Sequence, residues 1–126
     1  EGATFGLRYG LDVIRRNGIE PREIRLTGGG AKSGLWRQLV ADIFNCPVVC
    51  LQQDEAGAAG AALQAMWCAG KTENSGVALV DLTSRFIELD DTSRCFPDSS
   101  ASARYDEQYH KYLVLNDALA PLNGAG

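Results

Sequence analysis

The chain is 126 residues long, 45% hydrophobic and 22% charged, with a formal net charge of -4. That length suits one domain, the composition is globular rather than disordered, and the acidic balance argues against a broad nucleic-acid surface, which needs a basic face. No run approaches the ~18 consecutive apolar residues of a membrane span, and Glu1-Gly2-Ala3-Thr4 lacks the basic start and apolar core of a signal peptide.

An amphipathic helix is expected almost at once, over residues 2–17. Ala3, Leu7, Leu11 and Ile14 fall on one face, widened by Phe5, Tyr9 and Val13. Arg15 and Arg16 suit the negative end of the helix dipole, and Gly18 is a natural residue just past the end. The early helix and the missing initiator Met are what a piece cut from a longer protein would show. Glu23–Thr27 then reads as a short strand with one face partly wet, since Ile24 and Leu26 alternate with polar residues.

Thr27-Gly28-Gly29-Gly30-Ala31-Lys32-Ser33-Gly34 follows, a glycine-rich turn between a strand and a helix. Glycines let a backbone approach a ligand closely, and a helix N-terminus adds N–H donors, so this arrangement faces phosphates or nucleotides. Ser33 is placed to cap the next helix. That helix carries Leu35, Trp36, Leu39, Val40, Ile43 and Phe44 as an apolar stripe, and Asn45 and Pro47 mark its end. Pro47–Leu51 is a second strand, apolar in succession and therefore buried on both faces. The strand–helix–strand unit is expected to be a right-handed parallel crossover.

A third helix is expected from Glu55 to Ala69, ended by Gly70. Its first half, Ala56-Gly57-Ala58-Ala59-Gly60-Ala61-Ala62, is all small. Two glycines in a helix cost up to ~1 kcal/mol each relative to Ala, which points to close approach by a neighbouring element. Leu63, Met66 and Trp67 then supply ordinary packing, and Trp36 and Trp67 read as core. Residues 71–100 are weakly patterned, with a short helix starting near Val77–Val80, an extended piece at Phe86–Leu89, and loop chemistry at Asp90–Arg94 and Pro97–Ser100. A terminal helix is expected over about 101–120, with Tyr105, Tyr109, Tyr112 and Leu113 on one packing face, before a frayed end at Pro121–Gly126.

The turn is not a Walker loop, because Lys32-Ser33 follows the glycines too early, and not the dinucleotide fingerprint, which needs Gly where Ser33 stands. Lys32 is therefore read as a surface residue, Glu55 as a first-turn acid favoured by the helix dipole, and His110 as exposed without a catalytic role. Cys46, Cys50, Cys68 and Cys95 have neither zinc nor disulfide-scaffold spacing, and read as reduced thiols of a cytosolic chain.

Three pieces, in order, resemble the FGGY carbohydrate kinases over nearly the whole chain. Leu26–Ser33 with Trp36-Arg37-Gln38 and Ala41-Asp42 is similar to that family's adenosine-binding segment. Glu55–Ala62 is similar to the small-residue helix that follows it there, and Glu1–Phe5 to the lead-in. The tyrosines of the last helix resemble the tail of the xylulokinase branch. The resemblance implies an α/β fragment of an actin-like, ribonuclease-H-like ATPase domain. It would be the C-terminal part of the second of two domains, with residues 1–70 forming its nucleotide-side core. It implies a cytoplasmic enzyme that transfers the γ-phosphoryl of ATP, with Mg2+, to a sugar, D-xylulose in the closest subgroup. The implied cofactor contacts are Gly29, Gly30, Ala31 and Ser33, although a helix cap explains Ser33 nearly as well. The sugar site, the catalytic Asp and the phosphate hairpin of such kinases have no match here. Asp42, Asp54, Asp90 and Asp91 are not in a context to replace that base, so no catalytic residue and no metal ligand is expected. The sugar would be met through a domain outside the chain, with no nucleic-acid or membrane partner. Two strands with open edges allow self-association into a homo-oligomer. The alternative from another class is a non-catalytic ligand-binding or protein-interaction module.

Overall fold

A computed structural model describes residues 1–53, 55–72 and 76–123, leaving aside the side chains of 121–123. Asp54 and the end of the frayed segment, residues 124–126, lie outside the described residues. The elements are α1 (Gly2–Arg16), β1 (Ile24–Leu26), a 3-10 turn (Gly29–Lys32), α2 (Gly34–Phe44), β2 (Val48–Leu51), α3 (Ala56–Thr72), α4 (Leu79–Phe86), β3 (Leu89–Cys95) and α5 (Ser99–Asn123). The three strands form one sheet in the order β1-β2-β3. The Ile24 N–H donates to the Pro47 carbonyl at 2.8 Å, joining the starts of β1 and β2 as a parallel pair does. The Gln52 N–H donates to the Glu88 carbonyl at 3.0 Å, joining the end of β2 to the start of β3, so β3 runs antiparallel to β2. This mixed α/β arrangement is the expected fold class, with a third strand added to the two read from the sequence.

The chain divides into two compact units. The first comprises residues 1–24, 38–48 and 95 onward. Its core is Phe5, Leu11, Val40, Ala41, Ile43, Phe44, Cys46, Val48 and Tyr109. The C-terminus of α2 closes as expected: Asn45 takes a left-handed φ of 48°, and the Cys46 N–H reaches back to the Ala41 carbonyl at 3.3 Å, before Pro47 forbids continuation. Arg15 donates to the orphan Phe44 carbonyl at 3.3 Å. Gly18 has the expected positive φ, 81°.

The buried face of α1 differs from the one its apolar periodicity marks. Thr4, Phe5 and Leu11 are buried and Arg8, Asp12 and Arg15 are half-buried, whereas Ala3, Leu7, Val13 and Ile14 are exposed. Polar bonds decide this. Arg8 donates to the Ile43 carbonyl at 2.8 Å, pairs with Asp106 at 2.6 Å, and lies 4.3 Å over the Tyr109 ring. Phe5 meets the rings of Tyr105, Tyr109 and Tyr112, with centroids 5.7–6.4 Å apart. The tyrosine stripe is thus a packing face.

At the start of α5, Asp42 is the pin. Its buried carboxylate accepts from the Gln38 amide at 2.9 Å and from the Asp98 N–H at 2.8 Å. Asp98 in turn caps α5 by accepting the Ala101 N–H at 2.8 Å and the Ser100 hydroxyl at 2.6 Å, bonds that hold its carboxyl below the ordinary range. α5 begins two residues before the expected Ala101 and continues to Asn123.

The second unit comprises residues 25–37 and 49–94. Here β2 contributes Val49, fully buried, and Cys50, while Arg25 in β1 is exposed between half-buried neighbours, the half-wet strand expected. Residues 71–100 are more ordered than their pattern suggests, since they hold α4 and β3. The polar run Asp90–Arg94 is strand, not loop: Asp90 accepts the Thr92 N–H at 3.1 Å and hydroxyl at 2.6 Å, and Asp91 pairs with Arg94 at 2.9 Å. Side-chain bonds here stand in for an apolar pattern.

α3 packs against α4, yet Leu63 is its only buried residue among those described. A Cβ built on Gly57 or Gly60 would meet nothing within 4 Å, so close approach by a neighbour does not explain these glycines in this chain. Met66 is exposed and Trp67 half-buried, with Lys71 4.4 Å over its ring; Trp67 is not core. Gly70 does not end the helix, which runs on to Thr72, whose hydroxyl donates to the Cys68 carbonyl at 3.1 Å.

The Tyr109 hydroxyl donates to Asp12 at 2.6 Å. Burial, then that bond to the carboxylate, pushes the phenol above its ordinary value of 10.0. The unfolded phenol ionises first, so this contribution is complete below about pH 10 and declines as pH rises beyond it. Tyr109→Phe should lower unfolding free energy at neutral pH by about 1–3 kcal/mol, because it leaves the Asp12 carboxylate short of a partner. The variant should also show a shallower alkaline loss of stability. Urea denaturation from pH 7 to 11 checks both; identical curves for the two proteins would refute the role of the bond.

Candidate functional site

The glycine turn lies in the second unit. Thr27 leaves β1, and Gly28 follows with φ 84° and ψ -177°, a backbone region essentially reserved for glycine. The next residues wind into the 3-10 turn through Ala31 N–H to Gly28 carbonyl (3.1 Å) and Ser33 N–H to Gly30 carbonyl (3.0 Å). Ser33 then caps α2, its Oγ accepting the Trp36 N–H at 3.3 Å while its carbonyl accepts the Arg37 N–H at 3.0 Å.

The four residues expected to meet a nucleotide occupy different positions. Gly29, Gly30 and Ser33 are exposed; Ala31 is buried. A Cβ on Gly29 would meet nothing within 4 Å, whereas one on Gly30 would press on the Trp36 ring at 3.1 Å. Gly30 therefore has a packing reason to be glycine, and Trp36 is a half-buried lid on the turn rather than core. Ala31 points inward, and its carbonyl accepts from Arg37 Nη1 at 2.9 Å and from the Cys50 thiol at 3.6 Å. Leu35, expected in the apolar stripe of α2, is 84% exposed in that helix's first turn.

Beside the turn is a cleft of about 370 Å³, at the carboxyl ends of β1 and β2 where open α/β sheets bind ligands. Thr27, Gly28, Ala31 and Lys32 form one side, Arg37 joins from α2, and Cys50 to Gln53 with Asp90 and Ser93 form the other. The far wall is tightly bonded. The Cys50 N–H donates to Ser93 Oγ at 2.8 Å, and the Ser93 hydroxyl donates to the Asp90 carbonyl at 2.6 Å. The Gln53 amide donates to the Phe86 carbonyl at 3.0 Å.

Of the expected site residues only Ala31 lines this cleft; Gly29, Gly30 and Ser33 do not. Gln53 and Ser93 were not singled out by sequence, and Arg37 only as part of the Trp36-Arg37-Gln38 piece of the family resemblance. Ser93 lies in a run that reads as loop. Gln52-Gln53 at the end of an apolar strand is the one signal that could have marked the place.

The remaining polar candidates have structural partners. Asp42 pins α5, Asp91 pairs with Arg94, and Asp90 holds Thr92. His110 is exposed, with Nδ1 2.8 Å from the Asp106 carbonyl. No disulfide joins the four cysteines: Cys46 and Cys50 are buried, Cys95 half-buried, and Cys68 exposed. Burial raises the Cys46 thiol above its ordinary value. Among the described residues no three His, Cys, Asp or Glu side chains gather as metal ligands.

Comparison with known proteins adds the context. The FGGY family of carbohydrate kinases, C-terminal domain, matches residues 1–69. A xylulose kinase of Haemophilus influenzae is 50% identical over 114 residues, covering 90% of this chain and 22% of that protein. A xylulose kinase of Escherichia coli is 33% identical over 122 residues, 97% of this chain and 24% of that protein. The ligand-bound xylulose kinase from Lactobacillus acidophilus has a TM-score of 0.77 at 30% identity, covering 93% of this chain and 22% of its own. The chain thus spans less than a quarter of the length of these relatives.

The turn's geometry separates its glycines. Gly28→Ala should destabilise the chain by about 1–3 kcal/mol through backbone strain alone, since its Cβ would meet nothing within 4 Å. Gly29→Ala should stay within about 0.5 kcal/mol of the parent. Thermal melts of the two variants check the contrast, which fails if they melt together.

Proposed function

This chain belongs to the FGGY family of carbohydrate kinases, and from that premise we propose that it supplies the adenosine side of the ATP site in a kinase that phosphorylates D-xylulose. The observation that carries the reading is the exposed backbone at Gly29, with nothing within 4 Å of a Cβ placed there, at the carboxyl end of β1 and the N-terminus of α2. A flat purine or ribose can lie against such a backbone because no side chain stands off it. Ser33 accepts the cap bond and still holds a hydroxyl proton to donate, so capping and adenosine contact are compatible. Ala31 acts from behind. Its buried methyl and doubly used carbonyl fix the turn, and a rigid seat matters because phosphoryl transfer depends mostly on positioning and charge stabilisation.

The substrate assignment rests on relatives named xylulose kinases, including the Haemophilus influenzae protein at 50% identity. ATP brings the γ-phosphoryl group. In this reading the acid–base residue, the sugar contacts, the phosphate hairpin and the Mg2+ ligands are not among the residues that this chain contributes. Here the chain's work is to bind and orient the nucleotide.

Calorimetry with ATP, ADP and adenosine tests the seat. All three should bind the parent chain, and Gly29→Ala should weaken them about tenfold, equivalent to about 1.4 kcal/mol, without lowering the melting temperature. Equal affinity of parent and variant, or no nucleotide binding by the folded parent, would reject the reading. The chain by itself should transfer no phosphoryl group to D-xylulose.

A further inference from the structure

We propose that Arg37 is the positioning residue of the glycine turn: it holds the Ala31 carbonyl from behind and so fixes the backbone that the adenosine seat presents at Gly29. This role rests on the adenosine reading above and adds to it the side chain that keeps the seat rigid.

Glycine loses more conformational freedom on ordering than any other residue. Gly28-Gly29-Gly30 therefore has to be held if it is to meet a flat ligand in one shape, because a seat that orders only on binding subtracts that cost from the affinity. Two bonds close the turn on itself, from the Ala31 N–H to the Gly28 carbonyl and from the Ser33 N–H to the Gly30 carbonyl. Neither ties it to another element. Arg37 does, because its Nη1 reaches back six residues from α2 and donates to the Ala31 carbonyl at 2.9 Å. The Cys50 thiol meets the same oxygen at 3.6 Å, as a weaker donor. Arg37 lines the cleft beside the turn, but its guanidinium is turned to the protein. Nη2 lies 3.5 Å from where a Cβ on Gly34 would stand, and Nε is shielded from solvent.

Stability does not account for an arginine at this place. Residue 37 is in the first turn of α2, where the helix dipole disfavours a cation, and that turn holds no acidic residue to offset it. The side chain is half-buried, and among the described residues no carboxylate pairs with it. Its Nε has no hydrogen-bond partner. A half-buried unpaired charge and an orphan donor each cost stability. A methionine would fill the space without either cost, but would leave the Ala31 carbonyl to the thiol alone. Local rules broken at a cost to stability are expected where function requires it. Here that cost accompanies the one strong bond from α2 to the backbone of a ligand-facing turn.

Calorimetry with adenosine, thermal melts and amide hydrogen exchange of the parent chain, Arg37→Met and Arg37→Ala test the role. Arg37→Met should weaken adenosine about tenfold, the factor expected of one hydrogen bond from a charged donor, with its melting temperature at or above the parent's. Exchange at the Ala31 and Ser33 amides should quicken about tenfold while that at Ile43 and Val49 stays unchanged. Arg37→Ala vacates space beside the open cleft, so millimolar guanidinium chloride should restore its adenosine binding where the same concentration of sodium chloride does not. Quickened exchange confined to the turn, in a chain whose parent binds no adenosine, supports the positioning role and rejects the adenosine seat. Unchanged exchange at the turn, undiminished adenosine affinity in Arg37→Met, a fall in melting temperature with faster exchange throughout, or no rescue by guanidinium would overturn the proposal.

Discussion

The Ala31 carbonyl is the point on which the turn depends. It accepts from Arg37 on α2 and from Cys50 on β2, so one oxygen ties the strand exit, the helix start and the neighbouring strand together. That oxygen can face inward only because Gly28 adopts a positive φ and swings the chain over. The consequences run outward from there. Gly30 slides under the Trp36 ring, Ser33 reaches the cap position, and Gly29 is left at the surface with open space in front of it. A run of three glycines therefore sits in three distinct surroundings: a left-handed backbone at Gly28, open space at Gly29 and the Trp36 ring at Gly30.

The first unit is organised by polar bonds set inside an apolar core. Val40, Ile43 and Val48 are fully buried, but the faces that meet are chosen by Arg8, Asp12 and Asp42. Arg8 meets the Ile43 carbonyl and Asp106, Asp12 meets Tyr109, and Asp42 meets the Asp98 N–H. Removing one member of such a pair strands its buried partner, which costs more than the bond itself contributes. Within each unit the charged side chains act as positioning elements rather than as chemistry.

Family membership rests on residues 1–69 and on relatives that this chain covers for less than a quarter of their length. The geometry adds a division that the motif does not contain: an open backbone face at Gly29 and, beside it, a polar cleft.

The sequence by itself determined the local elements whose signals are covalent or nearest-neighbour in origin. Gly18, Asn45 and Pro47 end their helices as backbone geometry requires, Ser33 caps α2, Val48 to Cys50 form a buried strand, and the order of motifs identifies the family. Tertiary structure alone decided which face of α1 is buried, because Arg8 and Asp12 find polar partners there while Leu7 and Ile14 stay exposed. It decided that Asp90–Arg94 is a strand, through side-chain bonds with no apolar period to announce them. It placed Arg37 and Gln53 on one cleft, a meeting of residues distant in sequence that no spacing rule encodes. It also left the small-residue face of α3 with nothing against Gly57 or Gly60, since a glycine pattern records a need for space without naming what fills it.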